Sequence, residues 1–471
     1  MTGILYLYCQ QISVMKNISP LIFILSFLLT GCSSKEKSTN VNDDLILAFQ
    51  TSANDHLLDK WYPLVLDLTH GGYFSDITFD FKVGDLHDKM IVTQARHIWT
   101  TATAANENPE RKNEYLSYAE HGFKFLRDHM WDKSNGGFHN LVTKKGTHII
   151  RPGEAKTAYG NSFAIYGLAT YYSASKNEEA LNLAKKTFYW LEEHSHDSIY
   201  KGYYQSLDLD GTPVIRTDDF PSGSDIGYKD QNSSIHLLEA LTALYKVWPN
   251  ETLADRVEEL LLLIRDTIIT EKGYMNLFFK KDWTPITFKE ATKDTIKLHY
   301  NLDHVSFGHD VETAYLMLEA SHSLGGLQLQ ETLRKGKKIV DHSIKNGWDT
   351  KLGGFYDGGY YFEDSDTLAI VNYDKNWWSQ AEGLNSLLLM ASYFPKDSIE
   401  YRNYFDKLWQ YTQDNIMDTE NGGWYEWGQD GRPGTKRDRK GHIWKGAYHN
   451  YRALINCKKM LEKEITKNNS K

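Results

Sequence analysis

Two kinds of helix-like segment alternate along the chain. Residues 237–241 and 384–390 are apolar on nearly every side, which is typical of buried helices, whereas residues 251–267 alternate charge with leucine as a solvated helix does. Helices of the buried kind are predicted over 88–105 and 160–174, and from near 232, 308, 378 and 448. Solvated partners are predicted over 113–130 and 177–194, and an opening helix over 43–66. The pattern therefore predicts a succession of helix pairs.

A glycine followed by an aromatic residue recurs between these helix pairs. The spacing is about 65 to 80 residues, which is the signature of one supersecondary unit repeated along the chain. The six occurrences are Gly72-Tyr73, Gly137-Phe138, Gly202-Tyr203, Gly273-Tyr274, Gly354-Phe355 and Gly423-Trp424. Alternating stretches beside them, such as 138–140 and 424–427, indicate brief hairpin strands. Six helix pairs predict an all-α fold, namely a closed (α/α)6 barrel with short β-hairpins at the loops. In such a barrel, equivalent helix starts lie at the same mouth.

The first residues have the features of a targeting segment. A charged start near Met15, a short apolar run and the tetrapeptide that ends at Cys32 resemble the bacterial lipoprotein signal, in which the cysteine becomes the lipidated first residue. Residues 1–32 are therefore predicted to be a signal peptide, 33–42 a flexible tether and 43–471 the barrel domain. This organisation predicts a protein of the bacterial cell envelope, on the periplasmic or surface side, with a lipid anchor as its only membrane attachment. The alternative is a buried N-terminal helix with a chance cysteine.

Composition narrows the range of partners. The formal net charge is -9 and no long basic run exists, which argues against a nucleic-acid partner. Aromatic residues make up 13% of the chain, with 13 Trp and 30 Tyr. Such rings mostly pack cores, but they also stack on the apolar faces of sugars. A mono- or oligosaccharide partner is therefore compatible with the composition, and the sequence leaves the oligomeric state open.

Polar residues of catalytic type cluster where the buried helices begin. His309 and Glu312 lie on one face of a predicted helix, and a carboxylate beside an imidazole fixes its tautomer and raises its basicity. A helix-surface pair would have the same spacing. Helix starts that share one mouth, however, would bring such residues into a common polar cavity, which avoids the cost of burying them unpaired. The other candidates are Arg96, Tyr159, Asn232, His236, Trp378, Glu382, Trp444 and His449.

The motifs at these helix starts resemble those of the N-acylglucosamine 2-epimerase family, and most of all its cellobiose 2-epimerase branch. In order along residues 57–461 they are Arg96-x-x-Trp99, Ala158-Tyr159-Gly160-Asn161-Ser162-Phe163-Ala164, Asn232-x-x-x-His236-Leu237-Leu238-Glu239-Ala240, Gly308-His309-Asp310-Val311-Glu312, Trp377-Trp378-Ser379-Gln380-Ala381-Glu382 and Trp444-Lys445-x-x-Tyr448-His449-Asn450. The resemblance implies an (α/α)6 barrel that epimerises sugars at C2 with two histidines and without a cofactor. It thus implies an isomerase, and no spacing in the sequence demands a metal.

The resemblance also implies a role for each candidate. His309 and His449 correspond to the two acid/base histidines, with Glu312 as the carboxylate paired with the first. Trp378 and Trp444 correspond to stacking rings. The residues that fall where the family binds the sugar are Arg96, Tyr159, Asn232 and His236, near C1 and C2, and the acid Glu382.

Three positions depart from the family pattern. Ser234, Tyr315 and Ser379 stand where the family usually has His, Trp and Pro respectively. These positions are expected to line the sugar subsites. The substrate therefore stays open among cellobiose, mannobiose, mannose and an N-acylated hexosamine.

Inversion at C2 gives these groups defined tasks. Removing the C2 proton of an open-chain aldose leaves an enediolate, so donors such as Arg96 and His236 must meet the charge on O1 and O2. Inversion then requires a proton carrier on each face of C2, which His309 and His449 would provide. Three other functions stay open. They are an aldose-ketose isomerase on the same scaffold, a glycoside hydrolase, which needs two carboxylates about 5 to 9.5 Å apart, and a non-catalytic sugar-binding lipoprotein, which need not keep both histidines.

Overall fold

The computed structural model describes residues 41–151, 153–217, 225–362 and 365–469 of the 471-residue chain. The predicted signal peptide, Cys32 and most of the tether lie outside these ranges. The helices are α1 (Val41–Ala53), α2 (Asp59–Trp61), α3 (Ile91–Glu107), α4 (Lys112–Phe125), α5 (Ala158–Ser175), α6 (Glu178–His194), α7 (Gln231–Val247), α8 (Glu251–Leu263), α9 (Lys293–Asp303), α10 (Phe307–Ser323), α11 (Leu329–Gly347), α12 (Trp377–Tyr393), α13 (Tyr401–Tyr411) and α14 (Tyr448–Asn469). Across the described ranges, every helix is too short or too polar to cross a lipid bilayer.

Six of these helices form a closed inner ring. α3 contacts α5, α5 contacts α7, α7 contacts α10, α10 contacts α12, α12 contacts α14, and α14 returns to α3. Most of them are apolar on nearly every side, as predicted for buried helices, whereas the second half of α14 is polar. In α12, for example, Leu384, Leu387 and Leu388 are fully buried. The predicted (α/α)6 barrel is confirmed.

An outer ring covers the inner one. α4, α6, α8, α11 and α13 each pack against the inner helix that precedes them, and α1, from the start of the described chain, packs against α14 at its end. The predicted opening helix ends earlier than expected, at Trp61 instead of near residue 66. Pro63 explains the difference, because the residue before a proline is driven out of the helical region and Tyr62 is extended (φ -118°, ψ 134°).

Each Gly-aromatic turn closes a short antiparallel bridge after an outer helix. In five units the aromatic residue pairs with the residue seven positions earlier, as Tyr73 does with Leu66. Gly72 in that turn adopts φ +67°, which residues with a side chain rarely do. In the fourth unit Ile269 pairs with Met275, the residue after the aromatic. The turns therefore mark the repeated unit, with one local irregularity.

A buried Asp–Lys pair lies beside five of the turns. The pairs are Lys89–Asp67, Lys156–Asp132, Lys229–Asp197, Lys375–Asp349 and Lys440–Asp418, with distances of 2.7 to 2.9 Å from Nζ to a carboxylate oxygen. Each aspartate also accepts hydrogen bonds from two amides of its own turn. The pairs therefore tie each turn to the segment that leads into the next inner helix. In the irregular fourth unit, that segment begins with Val305.

Short strands lie at the end of the barrel where the inner helices begin. They are β1 (Lys89–Met90), β2 (Leu141–Val142), β3 (Lys156–Thr157), β4 (Ser206–Leu207), β5 (Pro213–Val214), β6 (Lys229–Asp230), β7 (Phe278–Phe279), β8 (Val305–Ser306), β9 (Gly358–Tyr360) and β10 (Ala369–Asn372). They form antiparallel sheets in the orders β1-β2, β3-β4-β5, β6-β7 and β10-β9-β8. β1, β3, β6 and β8 lead directly into α3, α5, α7 and α10, so the sheets rim the mouth of the barrel. Helix α9, which the sequence did not predict, lies between β7 and β8.

Candidate active site

Nine of the ten candidate residues meet in one cavity. The inner cavity, as we call it, has a volume of about 180 Å³. Its lining residues are Arg96, Tyr159, Asn232, His236, His309, Glu312, Trp377, Trp378, Trp444 and His449. Glu382, the tenth candidate, is fully buried and bonded to His449. The expected convergence of helix starts is therefore present, with Trp377 as an addition.

Local hydrogen bonds fix where three of these helices start. The side chains of Thr157, Asp230 and Asn376 each accept a hydrogen bond from the amide three residues later, at 2.9, 2.6 and 2.8 Å. Such N-caps satisfy amides that the first turn of a helix leaves without a partner. They define the first turns of α5, α7 and α12, from which Tyr159 and Trp378 reach the cavity.

His449 is held by a carboxylate. Its Nδ1 lies 2.7 Å from Glu382 Oε1, and the residue is 7% exposed. Burial, together with the Arg96 and Arg452 cations, lowers the pKa of His449 well below its usual value, so the ring is neutral near pH 7. Burial raises the pKa of Glu382 to about 7, against the attraction of Arg452. An ionised carboxylate at Nδ1 keeps the proton on that nitrogen and leaves the Nε2 lone pair for a substrate.

His309 has a different partner from the one expected. The predicted pairing with Glu312 is wrong, because Nδ1 of His309 lies 2.9 Å from Ser306 Oγ and Glu312 binds Arg452. The buried guanidinium compensates the charge of Glu312, which a neutral imidazole would not do. Burial lowers the pKa of His309 to about 3. Since a hydroxyl donates or accepts, His309 is free to adopt either tautomer.

Arg452 was missed by the sequence analysis. It is buried on α14, one turn after His449, and its guanidinium binds Glu239, Glu312 and Glu382, the last at 2.6 Å. These four residues, Arg452, Glu239, Glu312 and Glu382, are called the Arg452 cluster below. The available signal was the i,i+3 spacing of His449 and Arg452 on a largely apolar helix face.

The Arg452 cluster overlaps the one group of described residues with the spacing of metal ligands. Single ligand atoms of Glu312, Glu382 and His449 lie within 4.8 Å of one another. The guanidinium of Arg452 already binds both carboxylates. It therefore supplies the positive charge that the two acids require.

His236 has a carboxylate partner of its own. Its Nδ1 lies 2.9 Å from Glu239 Oε2, and the Tyr448 hydroxyl donates to Glu239 Oε1 at 2.8 Å. Although burial opposes the change, Arg452 and the bond to His236 lower the pKa of Glu239 to about 2. Glu239 is therefore ionised at neutral pH and orients the His236 ring. The sequence motif contained Glu239, but its spacing alone did not single it out.

Arg96 is a buried cation without a counter-ion. It donates from Nη1 to the Trp444 carbonyl at 3.0 Å and from Nη2 to the Tyr159 hydroxyl at 3.1 Å. Its guanidinium lies over the rings of Phe163 and Tyr448, at 4.4 and 5.0 Å from their centroids. Within the described ranges it forms no salt bridge. Its charge therefore remains available to an oxygen that becomes negative in the cavity.

Indole rings lie around the two central histidines. The Trp378 ring centroid is 4.7 Å from that of His309 and 5.9 Å from that of His449. Trp444 is 49% exposed, although it lines the cavity. The Nε1 of Trp377 is buried without a hydrogen-bond partner in the described structure. Exposed ring faces and an unpaired donor are suited to a sugar, which presents both apolar faces and hydroxyls.

A second, larger cavity continues from the first. This outer cavity has a volume of about 720 Å³. The residues that it shares with the inner cavity are Tyr159, Asn232, His309, Trp377, Trp378 and Trp444. Its charged lining comprises one arginine, Arg151, and five carboxylates, Glu154, Asp225, Asp230, Asp357 and Glu426. The outer cavity is therefore predominantly acidic.

The three departures from the family pattern do not line either cavity. Ser234 Oγ donates to the Asp230 carbonyl at 2.7 Å, the Tyr315 hydroxyl accepts from Asn456 at 3.1 Å, and Ser379 is buried. The expectation that they line the sugar subsites is wrong. For Ser234 the reason is helical geometry. It lies two residues from Asn232 and two from His236, which line the inner cavity, and side chains two residues apart on a helix differ in direction by about 200°.

Comparisons with known proteins cover nearly the whole barrel. The sequence model of the family N-acylglucosamine 2-epimerase (GlcNAc 2-epimerase) matches residues 72–453. A cellobiose 2-epimerase of Dictyoglomus turgidum is 26% identical over 416 residues, which are 86% of this chain and 97% of the relative. A D-mannose isomerase of Marinomonas mediterranea is 26% identical over 371 residues, 78% and 85% of the two chains. The structure of cellobiose 2-epimerase from Spirochaeta thermophila superposes with a TM-score of 0.76 at 27% identity, and covers 90% of this chain and 98% of that one. The chain therefore belongs to the N-acylglucosamine 2-epimerase family of carbohydrate epimerases, and it is an enzyme of the isomerase class.

Proposed function

We propose that this protein inverts C2 of the reducing-end aldose of a neutral oligosaccharide, by proton transfer at His309 and His449 through an enediolate. The observation that carries the proposal is the inner cavity, where two neutral imidazoles lie beside the Arg96 cation, which has no counter-ion in the described structure. Proton abstraction next to a carbonyl requires this combination of a base and a charge acceptor.

The reaction uses the open-chain aldose. One imidazole accepts the C2 proton, the C–H electron pair forms the C1–C2 double bond, and the carbonyl electrons move to O1. Arg96 and His236 donate to the oxygens that carry the charge. As the negative charge develops, the other histidine takes up a proton from solvent, and as an imidazolium it delivers that proton to the opposite face of C2 while the C1 carbonyl re-forms. The first histidine then returns its proton to solvent, so that atoms, charge and electrons balance without a redox partner.

Burial of the histidines suits this sequence of steps. In the free protein, burial lowers the pKa of both imidazoles and keeps them neutral, as the abstracting base must be, so the delivering histidine gains its proton only after the substrate has bound and its charge develops. The enediolate places a negative charge beside the ring that has taken the proton. An opposite charge at short range favours the imidazolium, so base strength rises as the proton moves.

The two cavities favour a substrate of more than one sugar. The inner cavity, at about 180 Å³, lies below the range of about 300 to 1,000 Å³ that is typical of pockets enclosing a whole ligand. The outer cavity, at about 720 Å³, lies within it. The reducing-end sugar would occupy the inner cavity and the remaining sugars the outer one. The acidic outer lining disfavours uronates and sugar phosphates.

An aldose-ketose isomerase is the second candidate, and the D-mannose isomerase relative favours it. It would use the same enediolate but return the proton to C1. A glycoside hydrolase is less compatible, because Glu312 is the only carboxylate among the described residues that line the inner cavity, and it is bound by Arg452. A purely sugar-binding protein would have no need of the two buried imidazoles.

We also propose that Cys32 carries a lipid that anchors the barrel to the cell envelope. The support is the charged start, short apolar run and cysteine of residues 15–32. One polar segment, 33–42, would separate the anchor from the barrel.

The test is to incubate the purified protein in D₂O with mannose, N-acetylglucosamine, cellobiose and mannobiose and to analyse products by NMR. We expect C2 epimers of at least one disaccharide that carry deuterium at C2. A ketose as the main product would favour the isomerase. Free monosaccharides released from the disaccharides would favour the hydrolase, and binding of these sugars without turnover would refute the proposed epimerase activity.

A further inference from the structure

The Arg452 cluster joins four inner helices beside the cavity. Arg452 is 1% exposed on α14. Its Nη1 binds Glu239 of α7, and its Nη2 binds Glu312 of α10 and Glu382 of α12. A single guanidinium is thus shared by three buried carboxylates. Arg452 is absent from the lining of both cavities, so any role in catalysis must act through its neighbours.

One of its contacts determines how His449 is protonated. The same oxygen, Glu382 Oε1, lies 2.6 Å from Arg452 Nη2 and 2.7 Å from His449 Nδ1. Arginine only donates hydrogen bonds, so Oε1 accepts from Nη2. When Glu382 is ionised, Oε1 carries no proton and also accepts from Nδ1, which requires the His449 proton to be on Nδ1. The Nε2 lone pair then faces the reaction.

We propose that Arg452 is a positioning residue which holds Glu382 as an ionised hydrogen-bond acceptor and thereby fixes His449 in the tautomer with its proton on Nδ1. The inference rests on the proposed function for the catalytic role of His449. Without Arg452, a protonated Glu382 would donate to Nδ1, and the imidazole proton would move to Nε2. His449 would then have no lone pair to offer to C2.

The groups around Glu382 make its protonation state sensitive to Arg452. The charged or titratable groups facing Glu382 and His449 are Arg452, Glu239, Glu312, Arg96, His236 and His309. Tyr448 and Cys457 are further buried neighbours, and burial raises the pKa of each. Burial also raises the pKa of Glu312 and Glu382, while Arg452 opposes both shifts. An arginine beside a carboxylate typically lowers its pKa by about 1 to 3 units, so its removal should leave Glu382 protonated at neutral pH.

The first experiment compares the pH profile of kcat for wild type, Arg452→Lys and Arg452→Met. The fall of kcat on the acidic side of the profile reports the protonation of Glu382, whose ionised form is lost as the pH falls. In Arg452→Met this limb should move to higher pH by about 1 to 3 units, with activity recovering at alkaline pH and KM nearly unchanged. Arg452→Lys should show a smaller shift, because lysine keeps the positive charge but lacks the planar pair of hydrogen-bond donors of arginine. Arg265→Met, which removes a buried arginine away from both cavities, is the control and should keep the wild-type profile.

The second experiment reads the tautomer directly and does not depend on activity. In the wild-type protein labelled with ¹⁵N-histidine, the His449 resonances should show a protonated Nδ1 and an unprotonated Nε2. A protonated Nε2 in the wild type would overturn the inference even if Arg452→Met does not fold. A loss of kcat in Arg452→Met that is uniform over the pH range would also overturn it, because it would indicate a purely structural role. Absence of epimerisation by the wild type would instead refute the proposed function and leave the tautomer result standing.

Discussion

Replacing Arg96 by methionine should remove most of the turnover and leave the barrel folded. The guanidinium lies over the rings of Phe163 and Tyr448, at 4.4 and 5.0 Å from their centroids, and an unbranched apolar side chain can pack against the same rings. The change removes the hydrogen bonds to the Trp444 carbonyl and the Tyr159 hydroxyl. It also removes the one cation that faces the inner cavity without forming a salt bridge in the described structure.

The expected magnitude follows from that missing counter-ion. No carboxylate of the described chain forms a salt bridge with Arg96, so its charge is available to the enediolate. Loss of one such donor costs about 3 to 4 kcal/mol in the transition state, a fall of about 10² to 10³ in kcat. The stability cost is smaller, about 1 kcal/mol for each neutral hydrogen bond that is lost. Arg96→Lys should recover part of kcat, because it restores the charge without the planar pair of donors.

The assay is the initial rate of epimer formation at saturating substrate, together with the rate of C2 hydrogen exchange with D₂O and a thermal melt. Arg265→Met, the control that also lacks a buried arginine, should keep the wild-type kcat. An Arg96→Met protein with unchanged kcat and raised KM would refute the reasoning. Arg96 would then contribute equally to ground-state and transition-state binding.

The remaining predictions concern the stacking rings, the anchor and the repeated ion pairs. Trp444→Ala should raise KM more for a disaccharide than for a monosaccharide, because this 49% exposed ring also lines the outer cavity; equal effects would argue against stacking there. Trp378→Ala should lower kcat with little change in Tm, and the reverse result would make the ring part of the core. Cys32→Ser should abolish incorporation of a palmitate label, and continued labelling would contradict the lipoprotein proposal. A chain that begins after this residue should stay folded and active. Lys156→Met should lower the free energy of unfolding, measured in urea, by about 3 to 5 kcal/mol, because it leaves the buried Asp132 carboxylate without its cation. A loss below about 1 kcal/mol would show that water reaches the carboxylate.

Repetition made the barrel and its mouth predictable from the sequence. Each unit has its own turn glycine, its own apolar inner helix and its own polar residue at the helix start, so six weak signals support one another. The same repetition contains the Asp–Lys pairs, as in Asp67 with Lys89 and Asp132 with Lys156. Aligning these five units on the glycine before the aromatic reveals the aspartates, each five residues earlier, but not the lysines, which follow that glycine by 17 to 27 residues.

The partners within the site could not be predicted in this way. The spacing along one helix suggested a pair of His309 with Glu312. A buried charge, however, is compensated by whichever opposite charge the closed ring of inner helices brings close to it. His449 is paired with Glu382, 67 residues away, and Arg452 with Glu239, 213 residues away. Such contacts between helices depend on the closed ring, and no local pattern encodes them.

The central claim is that His309 and His449 carry protons on opposite faces of C2. The most direct test compares His309→Ala and His449→Ala in D₂O, each with both epimers of the substrate, and follows hydrogen at C2 by NMR. Neither variant should epimerise, but each should exchange the C2 hydrogen of one epimer without inversion, with opposite preferences for the two epimers. The wild type should place solvent deuterium at C2 of its product. An epimerised product without solvent label, or full activity in either variant, would contradict the two-histidine account.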